Sequence, residues 1–250
     1  MGIASGAGHA SGPGARGRGV ERDVLVKICG LTNEADALLA VGLGADAVGF
    51  ILAPSPRQIA PRVAADIVKR LPRDVLTVGV FRDEAASRVV EIANMAGFGA
   101  VQLHGHETVE ETRWVRARVG CVIKAFPAGD RTIARFDEFG ADYLLVDGQS
   151  PGSGAVFDWR LAEGVADPAR MFVSGGLHPD NVADAIAALR PRGVDVASGV
   201  ESAPGRKDPQ KLRAFVKRAR AAAANRPAAP PPPPEDDDAR GSAPYDWMDG

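Results

Sequence analysis

Several reactive side chains in this sequence stand where a short apolar run stops. Cys29 closes Val24-Leu25-Val26-Lys27-Ile28, His104 closes Val101-Gln102-Leu103, and Asp147 closes Tyr143-Leu144-Leu145-Val146. A cysteine at an arbitrary position is most often a small buried hydrophobe. At the carboxyl end of a strand in an alternating α/β chain it faces the place where chemistry collects, so Cys29 is read as a catalytic base. A thiol with a reference pKa of roughly 8.5 must first lose its proton. Lys27, on the same face of the strand because side chains alternate, is expected to favour the thiolate.

Asp147 is a strand-end carboxyl that could simply cap the next turn. The glycine-rich stretch Gln149-Ser150-Pro151-Gly152-Ser153-Gly154 that follows it suits close approach by a ligand. Phe172-Val173-Ser174-Gly175-Gly176-Leu177 and Val196-Ala197-Ser198-Gly199-Val200-Glu201 end two consecutive later strands. Paired small-residue loops at the last two strands of a barrel commonly bind phosphate. Ser174, Gly175, Gly176, Ser198 and Gly199 are therefore expected around a phosphate. Gln102 and His104 share one strand face and are read as substrate contacts. Arg57, on a loop stiffened by the two prolines before it in Ala53-Pro54-Ser55-Pro56-Arg57, is placed to grip a carboxylate. No His/Cys/Asp cluster has metal-ligand spacing, so no metal is expected.

The elements that must position these residues alternate regularly. Strands are predicted at 23–28, 46–51, 75–80, 100–104, 121–126, 142–147, 171–175 and 193–197. Helices are predicted at 33–42, 61–70, 83–96, 106–118, 131–138, 159–165, 178–189 and 208–221. Runs such as Leu76-Thr77-Val78-Gly79-Val80-Phe81 read as parallel strands buried on both faces. Leu43-Gly44-Ala45-Asp46, Phe98-Gly99-Ala100 and Phe139-Gly140-Ala141-Asp142 stand at helix-to-strand handovers, where glycine can end a helix in the left-handed conformation. Eight such units predict a (β/α)8 TIM barrel, an α/β fold in one domain over residues 23–222. A doubly wound open sheet fits less well, because no G-x-G-x-x-G follows the first strand. Cys121 opens its strand at the opposite end from Cys29, so the two should not bridge.

The bulk numbers agree with one large domain: 250 residues, 45% hydrophobic, 25% charged. A formal net charge of -2 gives no case for nucleic acid, and no apolar run reaches membrane-span length. Residues 1–22 are Gly-, Ala-, Ser- and Arg-rich without a secretory apolar core. Residues 223–250 carry Pro230 to Pro234 and then Glu235-Asp236-Asp237-Asp238. Both ends are expected to be disordered tails on a cytoplasmic protein.

With these residues in view, the sequence resembles the phosphoribosylanthranilate isomerase family of tryptophan biosynthesis. The matching stretches run in order over about residues 24–220: Lys27-Ile28-Cys29-Gly30-Leu31-Thr32, Gly49-Phe50-Ile51 with Ser55-Pro56-Arg57, Val78-Gly79-Val80-Phe81, and Val101-Gln102-Leu103-His104-Gly105. They continue through Leu145-Val146-Asp147, Gly152-Ser153-Gly154 with Phe157-Asp158-Trp159, Ser174-Gly175-Gly176-Leu177, and Ser198-Gly199-Val200-Glu201 with Pro204-Gly205 and Lys207-Asp208. The resemblance implies Cys29 as general base, Asp147 as general acid and Arg57 on the anthranilate carboxylate. It groups Gly154 with the phosphate-binding residues and Lys27 with the substrate contacts. His106 departs from the pattern, which commonly has an acidic residue there.

The implied reaction is an Amadori rearrangement of a phosphorylated small molecule, without cofactor, by a monomer or homodimer. Asp147 would start it protonated, with its pKa raised by a partly apolar site. The Amadori isomerase of histidine synthesis resembles this chain in fold but uses a carboxylate at the first strand end. Indole-glycerol-phosphate synthase uses lysines and glutamates not matched here, and a pentose-phosphate epimerase would want metal-binding His and Asp residues. A non-catalytic phosphate-binding barrel acting as an interaction protein is the reading from another class. Intact acid, base and anion loops argue against it.

Overall fold

In the computed structural model, which describes residues 24–148 and 167–225, eight parallel strands close into a barrel. They are β1 (Leu25–Ile28), β2 (Ala47–Ile51), β3 (Leu76–Phe81), β4 (Ala100–Leu103), β5 (Val122–Pro127), β6 (Tyr143–Asp147), β7 (Met171–Val173) and β8 (Gly193–Val196). Closure comes from β1 against β8, with Leu25 opposite Gly193 and Ile28 opposite Val196. Every predicted strand is present, with ends moved by one or two residues. The outer helices are α1 (Glu34–Gly42), α2 (Pro61–Val68), α3 (Ala86–Ala96), α4 (Val109–Arg116), α5 (Phe136–Phe139), α6 (Val182–Leu189) and α7 (Pro209–Ala224). The segment predicted as one helix over 131–138 divides into a 3-10 turn, Arg131–Arg135, and the short α5. The predicted helix at 159–165 and both predicted tails lie outside the described residues. α7 runs past residue 222, and its Ala223 is buried, so the barrel unit extends to that helix end.

Strand alternation sorts the core into two layers. Val26, Ile28, Val48, Phe50, Val101, Leu103, Leu144, Val146, Val194 and Val196 face the helices. Ala47, Val78, Val80, Ala100, Ile123, Ala125, Leu145 and Phe172 fill the barrel interior, and Cys29 joins them at the top. The expected register therefore holds: Lys27 and Cys29 share the inward face of β1, away from Val26 and Ile28.

The repeated Gly-Ala-Asp handovers have a physical reason. Asp46 accepts from the Val26 N–H at 2.8 Å, and Asp142 accepts from the Val122 N–H at the same distance. Each aspartate thus ties the foot of one strand to the preceding one, and Arg220 and Arg116 pair with them from outside. Gly44 (φ 98°) and Gly140 (φ 65°) take the left-handed conformation as expected. In the third copy it is Gly97 (φ 73°), not Gly99, that ends the helix. The helix there stops two residues earlier, before Phe98 turns inward on the core.

Candidate active site

The inward faces of β1, β4, β6 and β8 deliver polar groups to the carboxyl-terminal mouth. Cys29 from β1, Gln102 and His104 from β4, Asp147 from β6, and Asp195 from β8 open on a cavity of about 370 Å³. Arg57 from the β2 loop, and Ser174, Gly175, Gly176 and Ser198 from the β7 and β8 loops, complete its wall. The sequence-predicted residues of this group line one cavity in the structure, and Asp195, which was not predicted, joins them. A glycine is required beside the thiol, since a Cβ at Gly49 would stand 2.8 Å from Cys29 Sγ.

Lys27 is different. It is fully buried beneath the cavity and is not part of its wall, with Nζ 2.9 Å from Asp195 Oδ1. Its place as a direct substrate contact is corrected to that of a charge under the thiol. Burial would lower the ammonium's pKa, but Asp195 and Cys29 outweigh burial and hold it above its ordinary value. For Cys29 the balance goes the other way. Burial pushes the thiol up, and the opposing pull of Lys27 is too small to cancel it, while Asp195 adds to the rise. Lys27 therefore favours the thiolate as expected, but burial outweighs it and keeps the thiol above its ordinary value.

Arg57 does not point freely at solvent. Its Nε and Nη2 both reach Glu201 at 2.8 Å, a planar two-point pair that fixes the guanidinium. Glu201 is also met by Lys207 Nζ at 3.0 Å, and the same Nζ donates to the main-chain oxygens of Cys29 (2.7 Å) and Ala197 (3.0 Å). Lys207 stands on a two-stranded hairpin, β9 (Glu201–Ala203) and β10 (Arg206–Lys207), which follows β8. Burial would raise Glu201, but Arg57 and Lys207 hold it below the usual carboxylate range. Asp195, Glu201 and Lys207 were not singled out from the sequence. Asp195 had a signal, an acid inside the apolar run Val194-Asp195-Val196, whereas Glu201 and Lys207 look like ordinary loop charges.

Gln102, His104 and Asp147 form a chain. Gln102 Nε2 lies 2.8 Å from His104 Nδ1, and His104 Nε2 lies 3.1 Å from Asp147 Oδ2. Asp147 Oδ1 accepts from the Gly148 N–H at 3.0 Å. A second cavity of about 380 Å³ adjoins the first, sharing Arg82, His104 and Asp147 and floored by Phe126, Pro127 and Phe139. Lys124 Nζ pairs with Glu107 at 2.9 Å and donates to Gly105 O at 2.7 Å, fixing the loop that carries His104.

The two small-residue loops meet each other. Gly175 (φ 83°) lies so close to Gly148 that a Cβ would stand 2.1 Å from its nitrogen. Gly199 does not line the cavity; a Cβ there would stand 1.8 Å from Leu177 O, so its part is to let the β7 and β8 loops touch. Ser198–Val200 forms one 3-10 turn. Gly154 lies outside the described residues. Among the described residues no group of His, Cys, Asp or Glu could hold a metal ion, and no helix is long and apolar enough to cross a membrane. Cys121 remains a free thiol at the far end of the barrel.

A closed parallel barrel with polar groups gathered at its carboxyl-terminal mouth defines the (β/α)8-barrel class, in which loop variation supplies the chemistry. Residues 26–218 match the family model described as N-(5'phosphoribosyl)anthranilate (PRA) isomerase. A relative named N-(5'-phosphoribosyl)anthranilate isomerase, from Desulforudis audaxviator, is 50% identical over 205 residues, covering 79% of this chain and 98% of its own. The crystal structure of phosphoribosyl anthranilate isomerase from Thermus thermophilus superimposes with a TM-score of 0.74 at 42% identity, covering 79% of this chain and 99% of that one. A further isomerase structure, in complex with reduced 1-(o-carboxyphenylamino)-1-deoxyribulose 5-phosphate, gives 0.71 at 41% identity with the same coverage. The chain belongs to the N-(5'-phosphoribosyl)anthranilate isomerase family.

Proposed function

We infer that this protein catalyses the Amadori rearrangement of N-(5'-phosphoribosyl)anthranilate to 1-(2-carboxyphenylamino)-1-deoxyribulose 5-phosphate, a step of tryptophan biosynthesis. The observation that carries this reading is one cavity on which Cys29, Asp147, Arg57 and the β7 and β8 loops all open. Asp147 protonates the ribose ring oxygen, the C1–O bond breaks, and a Schiff base forms. The carboxylate left behind is met by the His104 imidazole. Cys29, ionised to the thiolate that Lys27 beneath it favours, takes the proton from C2 and becomes the thiol. The resulting enolamine gains a proton at C1 and loses one from the C2 hydroxyl, so the protons balance without any exchange of electrons. Base and acid are each worth roughly 10²–10⁴ in rate.

Arg57 holds the anthranilate carboxylate with the N–H groups that Glu201 leaves free. Ser174, Gly175, Gly176 and Ser198, on the β7 and β8 loops of the same cavity, hold the phosphate. The test is turnover of freshly prepared substrate by the full-length protein, read as consumption of the anthranilate fluorophore. Cys29→Ala and Asp147→Asn should each lose about 10²–10⁴ in kcat while still binding a reduced product analogue. No product from the intact protein would end the reading. Normal turnover by Asp147→Asn would remove that residue from the acid role.

A further inference from the structure

Gln102 is almost fully buried on the inward face of β4, and it lines the cavity. Its amide nitrogen is satisfied by His104, but its amide oxygen Oε1 has no partner. Among the described residues it is the one buried side-chain nitrogen or oxygen left so. Buried polar atoms are nearly always paired, and an exception at a reactive site asks for a reason.

The hydrogen inventory of the chain supplies one. The amide nitrogen has only hydrogens to offer, so the His104 Nδ1 it meets carries a lone pair. A neutral imidazole then bears its hydrogen on Nε2 and donates it to Asp147 Oδ2. That pattern suits an ionised Asp147. With a proton on Asp147, the pattern must invert. Oδ1 already accepts from Gly148, so the proton sits on Oδ2 and needs Nε2 as acceptor. Nδ1 then carries the hydrogen and would face the amide hydrogens of Gln102 head-on. A half-turn about the last side-chain bond, which is a soft two-fold torsion, presents Oε1 to it instead. One proton enters from solvent onto Nδ1, the Nε2 hydrogen passes to Oδ2, the Gln102 amide turns over, and no other proton moves.

We propose that Gln102 is a positioning residue whose amide turns over in step with the proton on Asp147, its unpartnered oxygen being the acceptor used when that acid is loaded. This rests on Asp147 being the general acid. The charged groups around His104 are otherwise matched among themselves. Lys124 pairs with Glu107, His106 and Arg82 face Asp83, and Asp130 caps its own turn. On the other side Arg57 pairs with Glu201 and Asp195 with Lys27, and Cys29 is the remaining titratable group.

The test is the nitrogen NMR of His104 in the labelled, full-length protein across the pH range, assigned with His104→Gln. The expected result is Nε2–H with bare Nδ1 at high pH and a protonated Nδ1 at low pH. Gln102→Glu, which can only accept, should keep Nδ1 protonated to higher pH and move the alkaline fall of kcat upward by a unit or more. Gln102→Leu, which can do neither, should lose at least tenfold in kcat with KM changed less than threefold. A wild-type Nδ1 that carries its hydrogen throughout, or a Gln102→Leu enzyme with wild-type kcat and pH profile, would overturn the proposal. Full activity of Asp147→Asn would instead remove the acid role on which it rests, and the NMR result reads Gln102 independently of turnover.

Discussion

Lys207 donates to the main-chain oxygen of Cys29 at 2.7 Å, across 178 residues of sequence. The last loop of the barrel is thereby bolted to the strand end that bears the thiol. The same ammonium meets Glu201, and Glu201 holds Arg57, so one buried cluster sets both the sulfur and the guanidinium. Thr32 Oγ1 donates to Gly205 O at 2.6 Å and Asp36 accepts from the Lys207 N–H at 2.9 Å, adding ties from the hairpin to the β1 loop and to the first turn of α1.

The cluster predicts an asymmetric outcome. Lys207→Met leaves Glu201 buried with half its cation shell and frees two carbonyl oxygens, so it should cost about 3–5 kcal/mol of stability. Glu201→Gln keeps the shape and one acceptor for Arg57, so its main effect should be a roughly tenfold rise in KM, with kcat changed less. Urea unfolding and steady-state kinetics separate the two. Equal stability loss in both variants with unchanged KM in Glu201→Gln would show that the cluster does not position Arg57.

Gly49 supplies the second prediction. A methyl group there would stand 2.8 Å from Cys29 Sγ and 3.2 Å from Lys27 Nζ, and the backbone of Cys29 at 3.3 Å limits retreat. Gly49→Ala should therefore push the sulfur off its position. Misplacement on the ångström scale can cost about a hundredfold in rate, so kcat should fall by about ten- to a hundredfold with KM nearly kept. An Ala variant with wild-type kcat would show that the thiol tolerates displacement.

Burial holds the Cys29 thiol above its ordinary value despite Lys27. The reactive form is the thiolate, so the sign is that reactivity is low at neutral pH and climbs as pH rises toward the shifted value. Alkylation by iodoacetamide, measured in a Cys121→Ser background, should rise about tenfold per pH unit through the neutral range. Lys27→Met removes the opposing cation and should move that rise to still higher pH. Cys121 itself is pushed up to about 12 by burial and the Asp142 carboxylate, so its own alkylation should stay slow through the neutral range. A plateau of Cys29 alkylation below neutrality would contradict the assigned balance.

What the sequence made legible follows from periodicity. Period-two alternation placed Cys29, Gln102, His104 and Asp147 on the inward face, and small residues at the last two strand ends marked two loops that line the same cavity. Its blind spot was pairing. Arg57 and Glu201 are 144 residues apart and Lys27 and Asp195 are 168 apart, and no local rule joins them. A hint was present in Lys27, Lys124 and Asp195, each a charge set inside an apolar strand run where a solvated residue has no place. A buried charge requires a partner, so such positions announce an ion pair without naming its other half. Glu201 and Lys207, in a loop of mixed composition, carry no comparable signal.

Arg57 tests how substrate and Glu201 share one guanidinium. Nε and Nη2 are committed to Glu201, which leaves the Nη1 group for an incoming carboxylate. A lysine offers a single ammonium and cannot hold both partners in that planar arrangement. Arg57→Lys should therefore raise KM by about ten- to a hundredfold, the size of a charged hydrogen bond of about 1.5–3 kcal/mol, and leave kcat within a few-fold. The same comparison with the phosphoribosyl amine of aniline, which lacks the carboxylate, isolates the contact. That substrate should bind the wild-type enzyme about as weakly as the variant binds the full substrate, and Arg57→Lys should weaken it no further. If the variant lost as much affinity for the aniline compound as for the anthranilate, Arg57 would be serving the loop rather than the carboxylate, and the anthranilate ring would have to be sought against another part of the wall.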